Sequence, residues 1–138
     1  MIQAENLSFQ YSGSMEPAAR NLNFKVEAGE IFGFLGPSGA GKSTTQKILI
    51  GLLKGYSGKV SIMGRNLGQW NPDLYNHIGV GFELPNHYLK LTALENLKFF
   101  GGFYQGKISY GEWLEQVGLL PDAGKKVEDF SKGMKVRL

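Results

Sequence analysis

An apolar run, Ile31–Leu35, leads directly into Gly36-Pro37-Ser38-Gly39-Ala40-Gly41-Lys42-Ser43, and a helical pattern follows. The eight residues match G-x-x-x-x-G-K-[ST] in full, and the composition allows only about 0.02 accidental matches in such a chain. A polyphosphate has to be wrapped by backbone N–H groups, which glycine-rich backbone brings close without Cβ clashes. A helix opening at Gly41 adds unpaired N–H groups and the positive end of its dipole. Lys42 has the reach for β- and γ-phosphates, and the Ser43 hydroxyl is suited to Mg²⁺. The local fold expected is a buried strand at Ile31–Leu35, the loop, then a helix. Ile48, Leu49, Leu52 and Leu53 make its apolar face, and it stops at Gly55.

Upstream, Ile2–Tyr11 and Asn21–Val26 alternate loosely, the second with Leu22, Phe24 and Val26 on one face, and read as antiparallel strands. Ser12–Pro17 connects them. Gly58–Met63 is another strand with a turn at Gly64–Asn66, and Ile78–Phe82 a short one before a loop at Leu84–Leu91. From Thr92 the pattern is helical. Thr92 with Glu95 makes a capping box, Ser109 with Glu112 repeats it, and Gly118 and Pro121 end the second helix.

Composition excludes several classes. The 138 residues contain no cysteine, so no disulfide framework or thiolate metal site exists, and a reducing cytosol fits. His77 and His87 stand in no ligand motif and read as loop residues. The N-terminus lacks the charged start and long apolar run of a signal peptide, and no window approaches the ~20 apolar residues of a membrane span. The net charge of +3 sits in residues 125–138, with Lys125, Lys126, Lys132, Lys135 and Arg137 against Glu128 and Asp129. That is too small a footprint for a nucleic-acid binder.

Three further segments narrow what the loop leaves open. Tyr11 stands 25 residues before Gly36. Ile78-Gly79-Val80-Gly81-Phe82-Glu83 is followed by Leu91-Thr92-Ala93-Leu94-Glu95-Asn96. Phe130-Ser131-Lys132-Gly133-Met134 follows further on. With the phosphate loop, these resemble the ABC ATPase family from Met1 to Leu138. The resemblance implies an α/β fold: a P-loop NTPase core with an N-terminal antiparallel β-subdomain and an α-helical subdomain, the C-terminal part of the parallel sheet being missing. Residues 1–84 would be the β-rich part with the loop, and 85–138 the Q-loop region, helical subdomain and signature.

The resemblance also implies ATP and Mg²⁺ as cofactors. Tyr11 stacks on adenine in this reading; Gly36, Pro37, Ser38, Gly39, Ala40, Gly41, Lys42, Ser43 and Thr44 hold phosphates; Ser43 and Glu83 face the metal. Glu83 departs from the family's glutamine and adds negative charge. Ser131, Lys132, Gly133 and Met134 match the signature, usually L-S-G-G-Q, at Ser131 and Gly133 only. The form S-K-G-M is similar to a variant in exporters. Ser131 caps its helix and contacts the nucleotide of an opposite subunit. The implied partners are a second ATP-binding subunit, head to tail, and a transmembrane permease, with the chain peripheral at the inner face of the cell membrane. A soluble ABC ATPase that moves no solute and a nucleotide-responsive module without turnover are the alternatives. The family's Walker B aspartate, catalytic glutamate and switch histidine find no counterpart up to Leu138. The chain is therefore expected to be the N-terminal portion of a longer one, slow in hydrolysis alone, with exposed apolar surface beside the loop strand.

Overall fold

Strand β1 (Ile2–Phe9) pairs antiparallel with β2 (Ala19–Val26) on one side and with β3 (Ser57–Ile62) on the other, and the short β4 (Arg65–Asn66) completes the order β2-β1-β3-β4. Ile2 lies between Val26 and Ile62, and Ala4 between Phe24 and Val60. In this computed structural model residues 1–81, 86–104 and 107–138 are described. They divide into two units, Met1–Leu74 and Tyr75–Leu138.

The first unit shows why β1 alternates only loosely. Its buried residues are Ala4, Leu7 and Phe9, so the inward set shifts from even to odd positions. Side chains on a strand alternate with period two, and one extra residue flips that parity. The irregularity lies between Ala4 and Leu7, where Asn6 has φ +52°. Asparagine tolerates the left-handed region better than most residues. The amide of Asn6, taken out of the ladder, donates to Asn23 Oδ1 at 2.9 Å. On β2, half-buried Leu22, Phe24 and Val26 alternate with exposed Asn21, Asn23 and Lys25, as the pattern predicts.

Helix α1 (Lys42–Leu49) buries Thr44, Thr45, Ile48 and Leu49. It ends earlier than Gly55. The Gly51 amide donates to Ile48 O and the Leu52 amide to Lys47 O, both at 2.9 Å, with Gly51 at φ +76°. These are the paired bonds of a Schellman stop, which needs a left-handed residue just past the helix. Leu52 therefore falls outside the apolar face and is half exposed.

The segment 31–35 is also corrected. It joins no ladder among the described residues, and Ile31 and Leu35 are 101% and 95% exposed. An apolar run becomes a buried strand only where neighbours take up its N–H and C=O groups and cover both faces. Here one face alone is partly covered: Phe32, still 40% exposed, and Phe34 pack on Phe24 of β2 with ring centroids 5.7 and 5.2 Å away. Ile31 and Leu35 thus present apolar surface to solvent beside the loop.

In the second unit the same correction applies to 78–81, which form no strand among the described residues; Phe82 and Glu83 lie outside those residues. Helix α2 (Ala93–Gly101) starts with the full capping box: Thr92 Oγ1 accepts the Glu95 amide and the Glu95 carboxylate accepts the Thr92 amide. Helix α3 (Tyr110–Gln116) has Ser109 at its start without a side-chain cap bond, so the second box does not form. Its end is as read. Gly118 has φ +65°, and Leu119 N–H donates to Leu114 O at 2.7 Å in a second Schellman stop. Helix α4 (Lys132–Arg137) is capped by Ser131, whose hydroxyl accepts the Met134 amide. Ala93, Leu114, Leu119 and Phe130 form the buried core, with Leu94, Leu97, Val117, Ala123 and Met134 against it. Leu114 and Leu119, both fully buried, each stabilise the unit by roughly 1.5–3 kcal/mol relative to exposure.

Candidate functional site

The glycine-rich loop is shaped by three backbone positions. Gly36, Gly39 and Gly41 have φ of +155°, +82° and +81°. Gly39 faces open space, whereas a Cβ on Gly41 would lie 1.9 Å from the Ala18 carbonyl oxygen. Gly41 is therefore glycine for two reasons, its left-handed backbone and the close passage of the chain entering β2. It is also the residue at which α1 begins, with no side-chain cap. The first N–H groups of a helix have no partner within it, so the start of α1 offers donors and a positive dipole end to an anion.

Lys42 turns back over the loop. Its Nζ donates to Gly36 O at 2.8 Å and to Pro37 O at 2.7 Å. An ammonium carries three N–H donors, so one remains for a third acceptor. Loop carbonyls thus hold the cation at the loop's mouth, which suits a phosphate oxygen. Ser43 is exposed on the first turn, and the buried Thr45 hydroxyl donates to Gly41 O at 2.9 Å, tying that turn to the loop.

Tyr11 lies two residues beyond β1. Its hydroxyl is 3.2 Å from Thr44 Oγ1, and Phe9 meets its ring edge-on at 4.9 Å between centroids. The ring is 41% exposed. Residues 33 apart in sequence thus join one locus, the loop, the first turn of α1 and an accessible aromatic ring. This set fits a nucleotide: N–H donors and a held ammonium for phosphates, a hydroxyl for a hard cation, and a π-face for a base.

The second unit brings together the signature residues. Ser131 caps α4, Lys132 and Gly133 open it, and Met134 packs against the core. Glu83 lies outside the described residues. Two residues that carry this region were not singled out by sequence. Asn96 is 1% exposed on α2; its Oδ1 accepts the Tyr88 amide at 2.8 Å, and its Nδ2 donates to Tyr88 O and Thr92 O at 3.0 and 2.9 Å. An asparagine inside a helix is a poor helix former, and that anomaly was the available signal. His87, read as a loop residue, places Nε2 2.8 Å from Lys135 O. No sequence signal marks that contact.

Comparison with known proteins decides the family. The model described as ABC transporter matches residues 19–138. The chain belongs to the ABC transporter ATP-binding family. It is 51% identical, over its whole length, to a fluoroquinolones export ATP-binding protein of Mycobacterium tuberculosis, of which it covers 46%. A bacitracin transport ATP-binding protein of Bacillus licheniformis is 39% identical over the whole chain, which covers 45% of it. This ABC chain thus spans about half the length of the curated relatives it matches. Among solved structures, the dimeric bacterial ABC transporter cassette MJ0796 superposes with a TM-score of 0.80 at 30% identity, over 99% of this chain and 66% of that one. The α/β fold with an N-terminal antiparallel sheet is therefore that of an ABC cassette. No described helix is long and apolar enough to cross a membrane.

Proposed function

We propose that this ABC chain binds MgATP at Gly36–Thr44 and belongs to the energy-coupling subunit of an exporter. The observation that supports it most is the Tyr11–Thr44 contact, which puts an exposed aromatic ring beside the phosphate loop. Bound nucleotide would supply the phosphoanhydride whose cleavage drives transport. The chain's own residues bind and orient. Tyr11 offers its face to adenine, and the loop amides and the start of α1 receive phosphate oxygens. Lys42 would place its remaining N–H toward the β- and γ-phosphates, and the Ser43 hydroxyl, with Glu83 as a further ligand, would hold Mg²⁺.

Residues 1–84 then carry the nucleotide half-site, and 85–138 the helical part with the signature. In a head-to-tail pair of cassettes, Ser131, Lys132, Gly133 and Met134 of one chain complete the site of the other, and two-fold symmetry makes two equal sites. The permease is the second partner and places the subunit at the inner face of the cell membrane. Export is the direction favoured by the S-K-G-M signature and by relatives named for fluoroquinolones export and bacitracin transport.

A mixing experiment tests the composite site. Lys42→Ala and Ser131→Ala chains each spoil both sites of a like pair, whereas a mixed pair keeps one site intact. MgATP-dependent association measured by sedimentation should be weak for each variant alone and recover on mixing. Equal association in the mixture and in the separate variants would exclude the shared site.

A further inference from the structure

We propose that His87 is a positioning residue that fixes the turn presenting Ser131. The inference rests on the reading of Ser131 as a nucleotide contact and names a residue on which that contact depends. His87 Nε2 lies 2.8 Å from the carbonyl oxygen of Lys135 in a partly buried contact. A carbonyl only accepts, so Nε2 carries the proton and the ring donates. The Lys135 amide in turn donates to Ser131 O at 3.0 Å. The path is therefore ring to carbonyl, across one residue, and amide to the residue that caps the helix.

Two features make this bond more than a helix-end decoration. Lys135 belongs to α4, the helix that Ser131 caps. A carbonyl oxygen also has two lone pairs, so the ring would not compete with a helical bond to the same atom. Moreover, the segment carrying His87 is anchored independently of α4. Tyr88 is clamped through both backbone groups by buried Asn96. Leu89 O and Leu91 O accept the amides of Glu128 and Val127 at 2.9 and 3.0 Å, and Lys90 pairs with Glu128 at 2.6 Å. The Lys135 ammonium reaches Glu128 O at 3.4 Å. His87 thus stands on a braced segment and ties α4 to it, beside the Arg137 bond to Val117 O at 2.8 Å and the packing of Met134 on the core. Lys135 and Ser131 lie on successive turns of one short helix, so a shift of the Lys135 carbonyl is passed to Ser131 through the bond from the Lys135 amide to Ser131 O. A displacement of the segment beginning at Asn86 would reach Ser131 by this route.

The test compares His87→Phe, which keeps a ring without a donor, with His87→Gln, which keeps an N–H donor at similar reach. Amide hydrogen exchange is read over α4 and α2, alongside MgATP-dependent association. The phenylalanine variant should exchange the Lys135–Leu138 amides roughly three- to tenfold faster, the range of one neutral hydrogen bond. Exchange in α2 should stay unchanged, and association should weaken in step. Glutamine should restore both. Parent-like exchange in the phenylalanine variant, a uniform rise across α2 and α4, or failure of glutamine to rescue would each overturn the proposal. Exchange alone decides the role of His87; absence of association in the parent chain would instead sink the paired-cassette reading.

Discussion

Gly39 and Gly41 form a matched pair that separates backbone strain from steric exclusion. Their φ values are +82° and +81°, yet a Cβ at residue 39 meets open space and one at residue 41 lies 1.9 Å from Ala18 O. Gly39→Ala should show only the left-handed penalty, about 1–2 kcal/mol. Gly41→Ala adds displacement of the backbone entering β2. No rotamer relieves that clash, and forcing a methyl into filled space costs about 1–3 kcal/mol more. The expected difference between the two variants is therefore about 2 kcal/mol. For a unit the size of Met1–Leu74 this corresponds to roughly 8–16 °C in Tm. Thermal and urea unfolding of both variants, followed by far-UV circular dichroism, measure it. Equal destabilisation would show that the chain at Ala18 does not pass the loop as described, and the account of Gly41 would be wrong.

Other consequences follow from the second unit and from the exposed apolar surface. Asn96→Ala strands the Tyr88 amide and removes four bonds of one buried side chain; it should cost about 2–4 kcal/mol in urea unfolding, and a loss under about 0.5 kcal/mol would discount the clamp. The Thr92 amide and hydroxyl hold the Glu95 carboxyl below the usual carboxylate range, and the Lys90 ammonium does the same for Glu128. Their native values lie below the unfolded ones, so the stability they contribute is present above the ordinary glutamate pKa and lost as pH falls through the native values. Stability measured from neutral pH into the acid range should decline there, and Glu95→Gln should flatten part of that slope. Ile31→Lys with Leu35→Lys should leave unfolding within about 0.5 kcal/mol of the parent while lowering self-association in light scattering, because both side chains are exposed. A large loss of stability would mean that the segment is packed.

The legible parts of this chain were those fixed by local chemistry. The loop motif, the Thr92–Glu95 box, the Ser131 cap and the Gly118 stop each depend on residues within a few positions of one another, and each stands where the sequence puts it. The antiparallel pairing of β1 with β2 was readable because alternation survives on β2. Misreadings came where the outcome depends on distant atoms. Apolar content at Ile31–Leu35 says that the segment prefers cover, but not whether a neighbouring strand supplies it. Gly51 and Gly55 are both plausible helix stops, and the Schellman bonds to Lys47 and Ile48 select the first. Ser109 has the residue type of a cap without the geometry. Of the candidate site, the loop motif was legible locally, Tyr11 reaches Thr44 from 33 residues away, and Asn96 and His87 act through partners 8 and 48 residues away. The asparagine inside α2 is a local anomaly that flags the Asn96 contacts, and no pattern within a window shows that of His87.

The central claim is that residues 36–44, completed by Tyr11, form a nucleotide site. Equilibrium titration of the chain with ATP and with GTP, with and without Mg²⁺, beside the Lys42→Ala variant tests it directly. Loss of one charged hydrogen bond to phosphate predicts roughly ten- to hundredfold weaker ATP binding in Lys42→Ala, with the variant still unfolding cooperatively. ATP affinity equal in the parent and in Lys42→Ala would contradict the account, since the ammonium held over Gly36 and Pro37 would then take no part in binding phosphate.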